Sequence, residues 1–450
     1  MKRSPLAGLT KALTVLVVLL FAGPGTGDGS WIRTPKSPAR DSQRPTLGLR
    51  VEKRLALRRG QAYAPDRVLV RFRPGVADLT AEALLASYGF PAVSRIPGIG
   101  VYVARTADGV SVMETLAMLR RNGDIELARP DYKARLADVP DDPYFASHQW
   151  SLRNLGLVLD IPTTAGADIK AVPAWDAAKG DPEVVIAVLD TGVDLGHPDL
   201  GPKIEFSGYD FANDDDDATD DHWHGTHVAG IAAAATGNAA GIAGVAWNCR
   251  ILPVKVMDEN GDGYYSWIAQ GIVWAADNGA EVINLSLGGE VDDPFLEDAC
   301  RYAFERGAVI AAAAGNESSA VLYPAAYDAY VLAVTASNYD DAIAGFSNRG
   351  PAVDVAAPGV YIFSTVPRYY VGEGNPPYRF ATGTSQATPH VAGLAALIVS
   401  AKPDLPPADV MNVIRYTADD INRATYPGRD DFAGYGRINM ERALVPYILR

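Results

Sequence analysis

Four short apolar runs between residues 183 and 316 most constrain how this chain can fold. They read EVVIAVLD, RILPVKVMD, AEVINLSLGG and AVIAAAAGN, and each ends in Gly, Asp or Asn. Segments with helical spacing of apolar residues lie between them. Nearly continuous apolar runs are typical of parallel strands, because helices cover both faces of such a sheet. We therefore predict an α/β domain over residues 139–450, with functional residues where the strands end.

A different pattern covers residues 65–138. In DRVLVRFRPG, the apolar residues Val68, Val70 and Phe72 alternate with polar ones, which predicts a half-buried strand. The patterns that follow give the order strand, helix, strand, strand, helix, strand, which is that of a small ferredoxin-like α+β unit. The segment contains no histidine and no cysteine, so we assign it no chemistry.

The beginning of the chain has the pattern of a targeting segment. Basic residues precede the apolar run Ala12–Ala22, which is shorter than the ~20 residues that span a bilayer. We predict a secretory signal peptide over residues 1–27, with a membrane anchor as the alternative. Residues 28–64 are rich in Arg, Pro, Gly and Ser and predict a linker.

Charge is distributed unevenly along the chain. Residues 1–138 carry 22 Lys and Arg against 12 Asp and Glu, and residues 139–450 carry 18 against 42. The resulting formal charges of +10 and −24 add to the −14 of the whole chain. The acidic total argues against a general nucleic-acid-binding protein. A basic front and an acidic body would attract each other if they pack together.

The chain has two cysteines, Cys249 and Cys300. Two cysteines are too few for a disulfide framework or a four-cysteine zinc site. They form either one disulfide in an oxidising compartment or two buried thiols.

Three polar residues stand where a catalytic group is expected. Asp190 ends an apolar run, His224 begins the helical stretch HGTHVAGIAAAA, and Ser385 begins the helical stretch SQATPHVAGLAALIVS. A nucleophilic hydroxyl needs a base within hydrogen-bond reach, and that base needs an acid to orient it. Asp, His and Ser supply those roles.

Around these residues the chain resembles the subtilisin-like serine proteases. The resemblance lies in VLDTGVDLGHPDL, HGTHVAG, AAAGNE and GTSQATPHVAG, which follow in the family's order, and YGRINMERAL is similar to its C-terminal block. DDPYFASHQWSL resembles the start of the mature thermitase-like members. The resemblance implies a three-layer fold around a mostly parallel sheet, after a small α+β propeptide domain.

The resemblance also assigns catalytic roles. It implies that Asp190 orients the base, His224 is the general base and Ser385 is the nucleophile. Asn316, in AAAGNE, would donate a side-chain hydrogen bond to the oxyanion, together with the backbone N–H of Ser385. The positive end of the helix at His224 would favour its neutral form.

Three other protein classes are alternatives to a subtilisin-like protease. An α/β-hydrolase requires an acid and then a histidine after the serine, but only His390 follows Ser385, five residues on in the same helical stretch. A zinc hydrolase could use His222, His224 and His227, although their spacing lacks the i, i+4 histidine pair of a helical zinc protease. An inactive, peptide-binding homologue is the third alternative.

Substrate contacts follow from the same resemblance. The segment SLGG matches the family's strand that pairs with an extended peptide. Leu322 lies where some relatives carry a glycine at the base of the primary pocket, and so predicts a shallower apolar pocket. The residues assigned to the substrate are Ser286, Leu287, Gly288, Gly289 and Leu322.

The resemblance implies structural calcium and no organic cofactor. Carboxylate and carbonyl oxygens are the ligands that Ca²⁺ prefers. One predicted site uses the acidic loop residues Asp210, Asp215 and Asp217. The other uses the side chains of Asp142, Asp199 and Asn238 with the carbonyls of Thr236, Ala240 and Ile242. A solvated acidic loop is the alternative for the first set.

The unit at residues 65–138 resembles the family's inhibitory propeptide, which assists folding and blocks the cleft. The expected protein is therefore a secreted serine endopeptidase made as a zymogen. Its expected partners are polypeptide substrates and its own propeptide, with no nucleic acid, no stable membrane anchor after processing, and a monomeric state.

Two features depart from the family pattern. His222 and Trp223 stand where relatives often have Asn-Gly. The stretch RYYVGEGNPPYRFAT, residues 368–382, is longer than in typical relatives. It either shapes the far side of the cleft or is a surface loop without a role.

Overall fold

The computed structural model describes residues 63–90, 93–132 and 139–448. The predicted signal peptide and nearly all of the predicted linker lie outside these residues. The first described unit begins at Tyr63, two residues before the predicted start of the α+β unit. Its elements are β1 (Tyr63–Phe72), α1 (Asp78–Ser87), β2 (Val93–Ile96), β3 (Val101–Arg105), α2 (Val112–Leu119) and β4 (Ile125–Tyr132).

This unit has the predicted ferredoxin-like topology. Its four strands form an antiparallel sheet in the order β2-β3-β1-β4. Val68 and Val70 of β1 pack against Leu85 of α1 and Leu116 of α2 in its core. Helix α2 begins with a capping box, in which Ser111 and Glu114 each bond the other's backbone N–H.

The remainder of the described chain contains a three-layer α/β domain. Its strands are β5 (Leu157–Val158), β6 (Ile161–Pro162), β7 (Val185–Asp190), β8 (Tyr209–Asp210), β9 (Arg250–Lys255), β10 (Val282–Leu285), β11 (Val309–Ala313), β12 (Val331–Ser337), β13 (Val353–Pro358), β14 (Ile362–Thr365) and β15 (Tyr378–Ala381). Its helices are α3 (Phe145–His148), α4 (Ala171–Trp175), α5 (His224–Ala233), α6 (Tyr265–Asp277), α7 (Pro294–Glu305), α8 (Arg368–Val371), α9 (Thr384–Ala401), α10 (Pro407–Thr417) and α11 (Met440–Ile448).

Seven strands form one parallel sheet in the order β13-β12-β11-β10-β7-β9-β8. The four apolar runs of the sequence are β7, β9, β10 and β11, which confirms the prediction of buried parallel strands. Along β7, Ile186 and Val188 face one core, whereas Ala187 and Leu189 face the other. Helices therefore cover both faces, as the apolar runs require.

The two cysteines lie in these separate cores. Cys249 belongs to the core that contains α5 and α9, and Cys300 belongs to the core that contains α6 and α7. Both are free and buried, so the alternative of two thiols is the correct one. Burial raises the pKa of each thiol, that of Cys300 to about 12.

Within the described residues, every helix is too short or too polar to cross a membrane.

Candidate active site

The site lies at the carboxyl edge of the central sheet, where β7, β10 and β11 end. A cavity of about 330 Å³ opens there, between these strand ends and the N-termini of α5 and α9. Parallel strands present functional residues at this edge. Asp190, His224, Asn316 and Ser385 all line the cavity, so the fold brings the four predicted catalytic residues together.

Asp190 and His224 form a short hydrogen bond. The Nδ1–H of His224 donates to Oδ1 of Asp190 at 2.7 Å, and the same oxygen accepts the backbone N–H of Thr191 at 2.8 Å. The Asp190 side chain is 2% exposed. With Nδ1 protonated and bound to the carboxylate, Nε2 of the neutral imidazole is the atom that can accept a proton.

Gly225 makes this approach possible. A Cβ atom at Gly225 would lie 2.1 Å from the carbonyl oxygen of Gly192 and 3.1 Å from the Cβ of Asp190. Any side chain here would push the start of α5 away from the end of β7. The glycine after His224 is therefore a packing requirement of the Asp190–His224 pair.

The charge of Asp190 controls the imidazole. Burial favours the neutral ring, but the Asp190 carboxylate and its hydrogen bond outweigh burial and raise the pKa of His224 above its ordinary value of 6.5. The net shift is therefore opposite in direction to the one expected from the helix end alone. A carboxylate at hydrogen-bond distance acts more strongly than the partial charge of a helix terminus.

Ser385 is held by a reciprocal pair of hydrogen bonds with Ser286. Its hydroxyl donates to the carbonyl oxygen of Ser286 at 3.0 Å, and the hydroxyl of Ser286 donates to the carbonyl oxygen of Ser385 at 2.8 Å. That carbonyl lacks its usual helical donor, because Pro389, four residues on in α9, has no N–H. The Ser385 hydroxyl therefore donates to Ser286 here; catalytic hydrogen bonds are often poorly aligned until substrate binds, so this arrangement does not rule out His224 as its base.

Asn316 is oriented by Thr384, a residue that the sequence analysis did not single out. The Oδ1 of Asn316 accepts the backbone N–H of Thr384 at 2.8 Å and its hydroxyl at 3.0 Å. With the amide oxygen held in this way, the amide nitrogen remains as a donor near Gly383, in the cavity that Ser385 also lines. The neighbouring N–H of Ser385 belongs to the first turn of α9, where helices leave N–H groups without helical partners.

Asp220 is a second residue that sequence reasoning missed. It is buried, and its carboxylate accepts the backbone N–H groups of His222, Trp223 and Thr226 and the hydroxyl of Thr191. Burial raises the pKa of Asp220 despite these bonds. An acidic residue shortly before a predicted helix is a signal that could have found it, since here the carboxylate accepts the N–H of Thr226 in the first turn of α5.

The three neighbouring histidines do different things. His224 bonds Asp190, whereas the buried His227 directs Nε2 to the carbonyl oxygen of Arg379 at 3.2 Å. Burial lowers the pKa of His227 to about 3, so this packing residue stays neutral. His222 lines the cavity. Within the described part of the chain, no three His, Cys, Asp or Glu side chains converge on one metal position, so the zinc alternative has no support.

Leu322 forms a wall of the cavity between two glycines. A Cβ atom at Gly288 would lie 2.9 Å from the Cβ of Leu322, and one at Gly315 would lie 2.8 Å from its Cγ. Ala313 lines the same part of the cavity. The leucine therefore fills space that a smaller residue would leave to the substrate.

One residue of the predicted peptide-binding segment already forms backbone hydrogen bonds within the protein. Ser286, Leu287 and Gly288 line the cavity. Gly289 instead pairs with Tyr323, through N–H to carbonyl bonds of 2.8 Å in both directions. Its backbone groups are already taken, so the edge available to a peptide ends at Gly288.

One predicted calcium site has its groups close together. Asp142 and Asp199 are both buried, and Asp142 accepts the N–H of Gly237 at 2.9 Å while Asn238 bonds Asp199 at 3.1 Å. A Cβ atom at Gly241 would meet a carboxylate oxygen of Asp199 at 1.8 Å, so the loop wraps closely around that carboxylate. Burial and the nearby Asp199 raise the pKa of Asp142. The assigned carbonyls, of Thr236, Ala240 and Ile242, belong to this same loop.

The side chains of the second predicted calcium site do not lie close together as those of the first site do. Burial raises the pKa of Asp210, and its carboxylate bonds the backbone and amide of Asn213. Asp215 and Asp217 are exposed and accept N–H groups of their own turn. The three carboxylates do not converge in this structure, so calcium at this loop stays a prediction.

Comparison with known proteins identifies the family. Residues 181–436 match the model of the subtilase family, and residues 50–131 match that of the fervidolysin N-terminal prodomain. The chain is 42% identical over 387 residues to the thermophilic serine proteinase of Bacillus sp. (strain AK1), covering 85% of this chain and 88% of that protein. It is 41% identical over 307 residues to thermitase of Thermoactinomyces vulgaris, covering 68% and 99%.

Comparison with solved structures identifies the same family. A protease from Pseudoalteromonas arctica has a TM-score of 0.60 at 33% identity and covers 69% of this chain and 100% of its own. Fervidolysin from Fervidobacterium pennivorans, a keratinolytic enzyme related to subtilisin, has a TM-score of 0.57 at 30% identity and covers 86% and 62%. The chain belongs to the subtilase family of serine proteases. It is a subtilisin-family protease with an N-terminal propeptide domain.

The raised pKa of His224 predicts the pH dependence of proteolysis. The base must be neutral, so kcat/KM should rise with pH through the pKa of His224, with its midpoint above 6.5. Asp190→Asn should lower kcat about 10⁴-fold, because the imidazole loses its orienting charge. It should also move the midpoint of the residual activity to lower pH, as measured by pH–rate profiles with a chromogenic peptide. A midpoint that does not move would contradict control by Asp190.

Leu322 predicts the preference of the primary pocket. Wild type should cleave after Leu or Ala at least as well as after Phe or Tyr, and Leu322→Gly should shift the kcat/KM ratio about tenfold toward Phe. The neighbouring Val321→Ala, which thins the core without opening the cavity, is the matched control. A strong wild-type preference for Phe or Tyr in a peptide library would contradict this assignment.

Proposed function

We propose that this protein is a secreted, calcium-stabilised serine endopeptidase, made as a zymogen, that cleaves peptide bonds through an acyl-enzyme on Ser385. The hydrogen bond of 2.7 Å between His224 and Asp190, beside Ser385 and Asn316 in one cavity, is the observation that carries the proposal. The subtilase family membership supports the same reaction class.

The geometry supports a two-step reaction. A peptide carbonyl in the cavity is attacked by the Ser385 hydroxyl while Nε2 of His224 takes its proton. Asp190 stabilises the imidazolium that forms. The amide nitrogen of Asn316 and the N–H of Ser385 donate to the oxyanion, whose charge is largest in the transition state. His224 then protonates the leaving amine, and water hydrolyses the acyl-enzyme by the reverse sequence.

The propeptide role is supported by the family match of residues 50–131 to an N-terminal prodomain. Secretion is supported by the basic residues and the apolar run Ala12–Ala22, which have the signal-peptide pattern. A relative from Natrialba magadii is named as an extracellular serine protease.

Calcium binding is supported best at the loop around Asp199. Burial, and to a smaller extent the nearby Asp199, raises the pKa of Asp142, and two buried carboxylates so close together are costly without a cation. Calcium there would be held by Asp142, Asp199, Asn238 and the loop carbonyls. Since Asp142 lies near the start of the catalytic domain, the ion would tie that segment to the sheet and stabilise the folded state by linkage.

A serine-directed fluorophosphonate probe tests the proposed reaction. Wild type should be labelled stoichiometrically and Ser385→Ala not at all, because labelling requires a hydroxyl activated by His224. N-terminal sequencing of the secreted protein should show that wild type has lost its propeptide and that Ser385→Ala has retained it. A folded wild-type protein that resists the probe would instead favour the inactive, peptide-binding alternative.

Removal of calcium should destabilise the protein. A chelator should lower the melting temperature, because an ion at about 100 times its Kd contributes about 2.7 kcal/mol. Asp199→Asn should melt earlier and lose its response to the chelator, whereas Asp215→Asn should keep both properties of wild type. A chelator response that survives Asp199→Asn would assign the ion to the loop of Asp215. No shift in wild type would refute both sites.

A further inference from the structure

The two departures from the family pattern meet in space. The guanidinium of Arg379 lies 4.4 Å from the ring centre of Trp223 and 4.9 Å from that of Tyr370, and it also bonds the hydroxyl of Tyr370. The rings of Trp223 and Tyr370 are 5.7 Å apart. We call these three side chains the aromatic wall. The longer segment at residues 368–382 is therefore not an unattached loop, because it packs on the residue that precedes His224.

The aromatic wall borders the base directly. The Trp223 ring meets the ring of His224 edge-on at 5.5 Å and that of His227 at 6.0 Å. The hydroxyl of Tyr369 donates to the carbonyl oxygen of Asp220 at 3.3 Å, which ties the same segment to the entry of α5. The wall is thus held beside the group that protonates the leaving amine.

The position of the wall differs from that of the acyl side of the cleft. The cavity that contains Ser286, Gly288 and Leu322 receives the acyl part of a substrate. Its lining, drawn from the described residues, includes His222 but none of the three wall residues. A bound peptide that continues beyond His224, away from that cavity, therefore places the residue after its scissile bond next to the wall.

The backbone at Trp223 is unusual for a large residue. Its φ is +143°, a conformation that suits glycine. Strained residues of this kind persist where the surrounding structure holds them, and they cluster at functional sites. Here Arg379, Tyr370 and the Asp220 carboxylate supply that support.

The surface of the wall offers ring faces beside one cation, the guanidinium of Arg379. Tyr370 is 42% exposed and its neighbour Tyr369 is 58% exposed. The guanidinium of Arg379 is already engaged with Tyr370 and Trp223. After burial, the nearby carboxylates Asp220, Asp221 and Asp194 are the main causes that raise the pKa of Tyr369, so acidic groups lie near this segment.

We propose that Trp223, Tyr370 and Arg379 form a leaving-group subsite that selects a large apolar or aromatic side chain in the first residue after the scissile bond. The inference rests on the proposed acyl-enzyme at Ser385. Trp223 and Tyr370 present ring surface to the side chain, and Arg379 holds the two rings in place.

Partition of the acyl-enzyme between water and added amines tests this subsite. A peptide ester with Leu at the acyl position forms the acyl-enzyme, and glycinamide, leucinamide, phenylalaninamide or aspartic acid α-amide then competes with water. The amine nitrogen bonds to the acyl carbon, the bond to Ser385 Oγ breaks, and the amine proton passes through His224 to that oxygen. Chromatography gives the ratio of aminolysis to hydrolysis, which does not depend on the fraction of active enzyme.

Wild type should use phenylalaninamide and leucinamide in preference to glycinamide. Trp223→Gly and Tyr370→Ala should each reduce that preference about two- to tenfold, the size of one aromatic contact. Trp223→Gly is suited to the backbone, and because both products come from one intermediate the ratio remains valid if some protein misfolds. Arg379→Met should reduce the preference as well. Tyr416→Ala, which removes an exposed tyrosine of α10, is the matched control and should leave the ratio unchanged.

The outcomes separate the two proposals. Failure of the ester to give either product would refute the acyl-enzyme mechanism itself. Normal hydrolysis with the same amine preference in Trp223→Gly, Tyr370→Ala and wild type would overturn the subsite alone. A wild-type preference for aspartic acid α-amide that Arg379→Met abolishes would also overturn it, because selection would then rest on charge. Preference at the acyl position should be the same in all variants.

Discussion

The site depends on how closely the first turn of α5 approaches the end of β7. The Asp190–His224 bond of 2.7 Å exists because Gly225 has no side chain to hold the helix away from Gly192. Asp220 fixes the same turn from the other side by accepting N–H groups from the loop and the helix. The imidazole is thus placed by backbone packing and a buried carboxylate, and its pKa is then set by the charge of Asp190.

A hairpin of β14 and β15 links the base to the nucleophile. The hydroxyls of Ser364 and Thr365 in β14 donate to carbonyl oxygens in α5, and His227 of α5 bonds the carbonyl oxygen of Arg379 in β15. Four residues after the end of β15 the chain reaches Ser385 at the start of α9. The same hairpin therefore packs on the helix of the base and leads to the nucleophile. Together with the segment between its strands it carries Tyr370 and Arg379, two of the three residues of the aromatic wall.

Much of this could be predicted from residue order. The apolar runs predicted the parallel strands, because a strand that is buried on both faces of the sheet has apolar residues at nearly every position. Asp190, His224 and Ser385 were predicted because each stands at the end of a strand or the start of a helix. Thr384 and Asp220 were missed, since the sequence does not show that Thr384 bonds Asn316 or that Asp220 is buried beside the first turn of α5. In the second calcium set, Asp215 and Asp217 each accept N–H groups of their own turn, and calcium at this loop stays a prediction.

The sequence by itself determined the α/β class, the ferredoxin-like unit before it, the family, and the four residues that line the cleft. Tertiary structure alone decided that the pKa of His224 is raised and that the backbone of Gly289 pairs with Tyr323. It also decided that Cys249 and Cys300 lie in separate cores and that Arg379 stacks on Trp223. The physical reason is distance. Local pattern reports which residues are buried and which begin or end an element, whereas charge effects and ring contacts depend on atoms that are far apart in the chain.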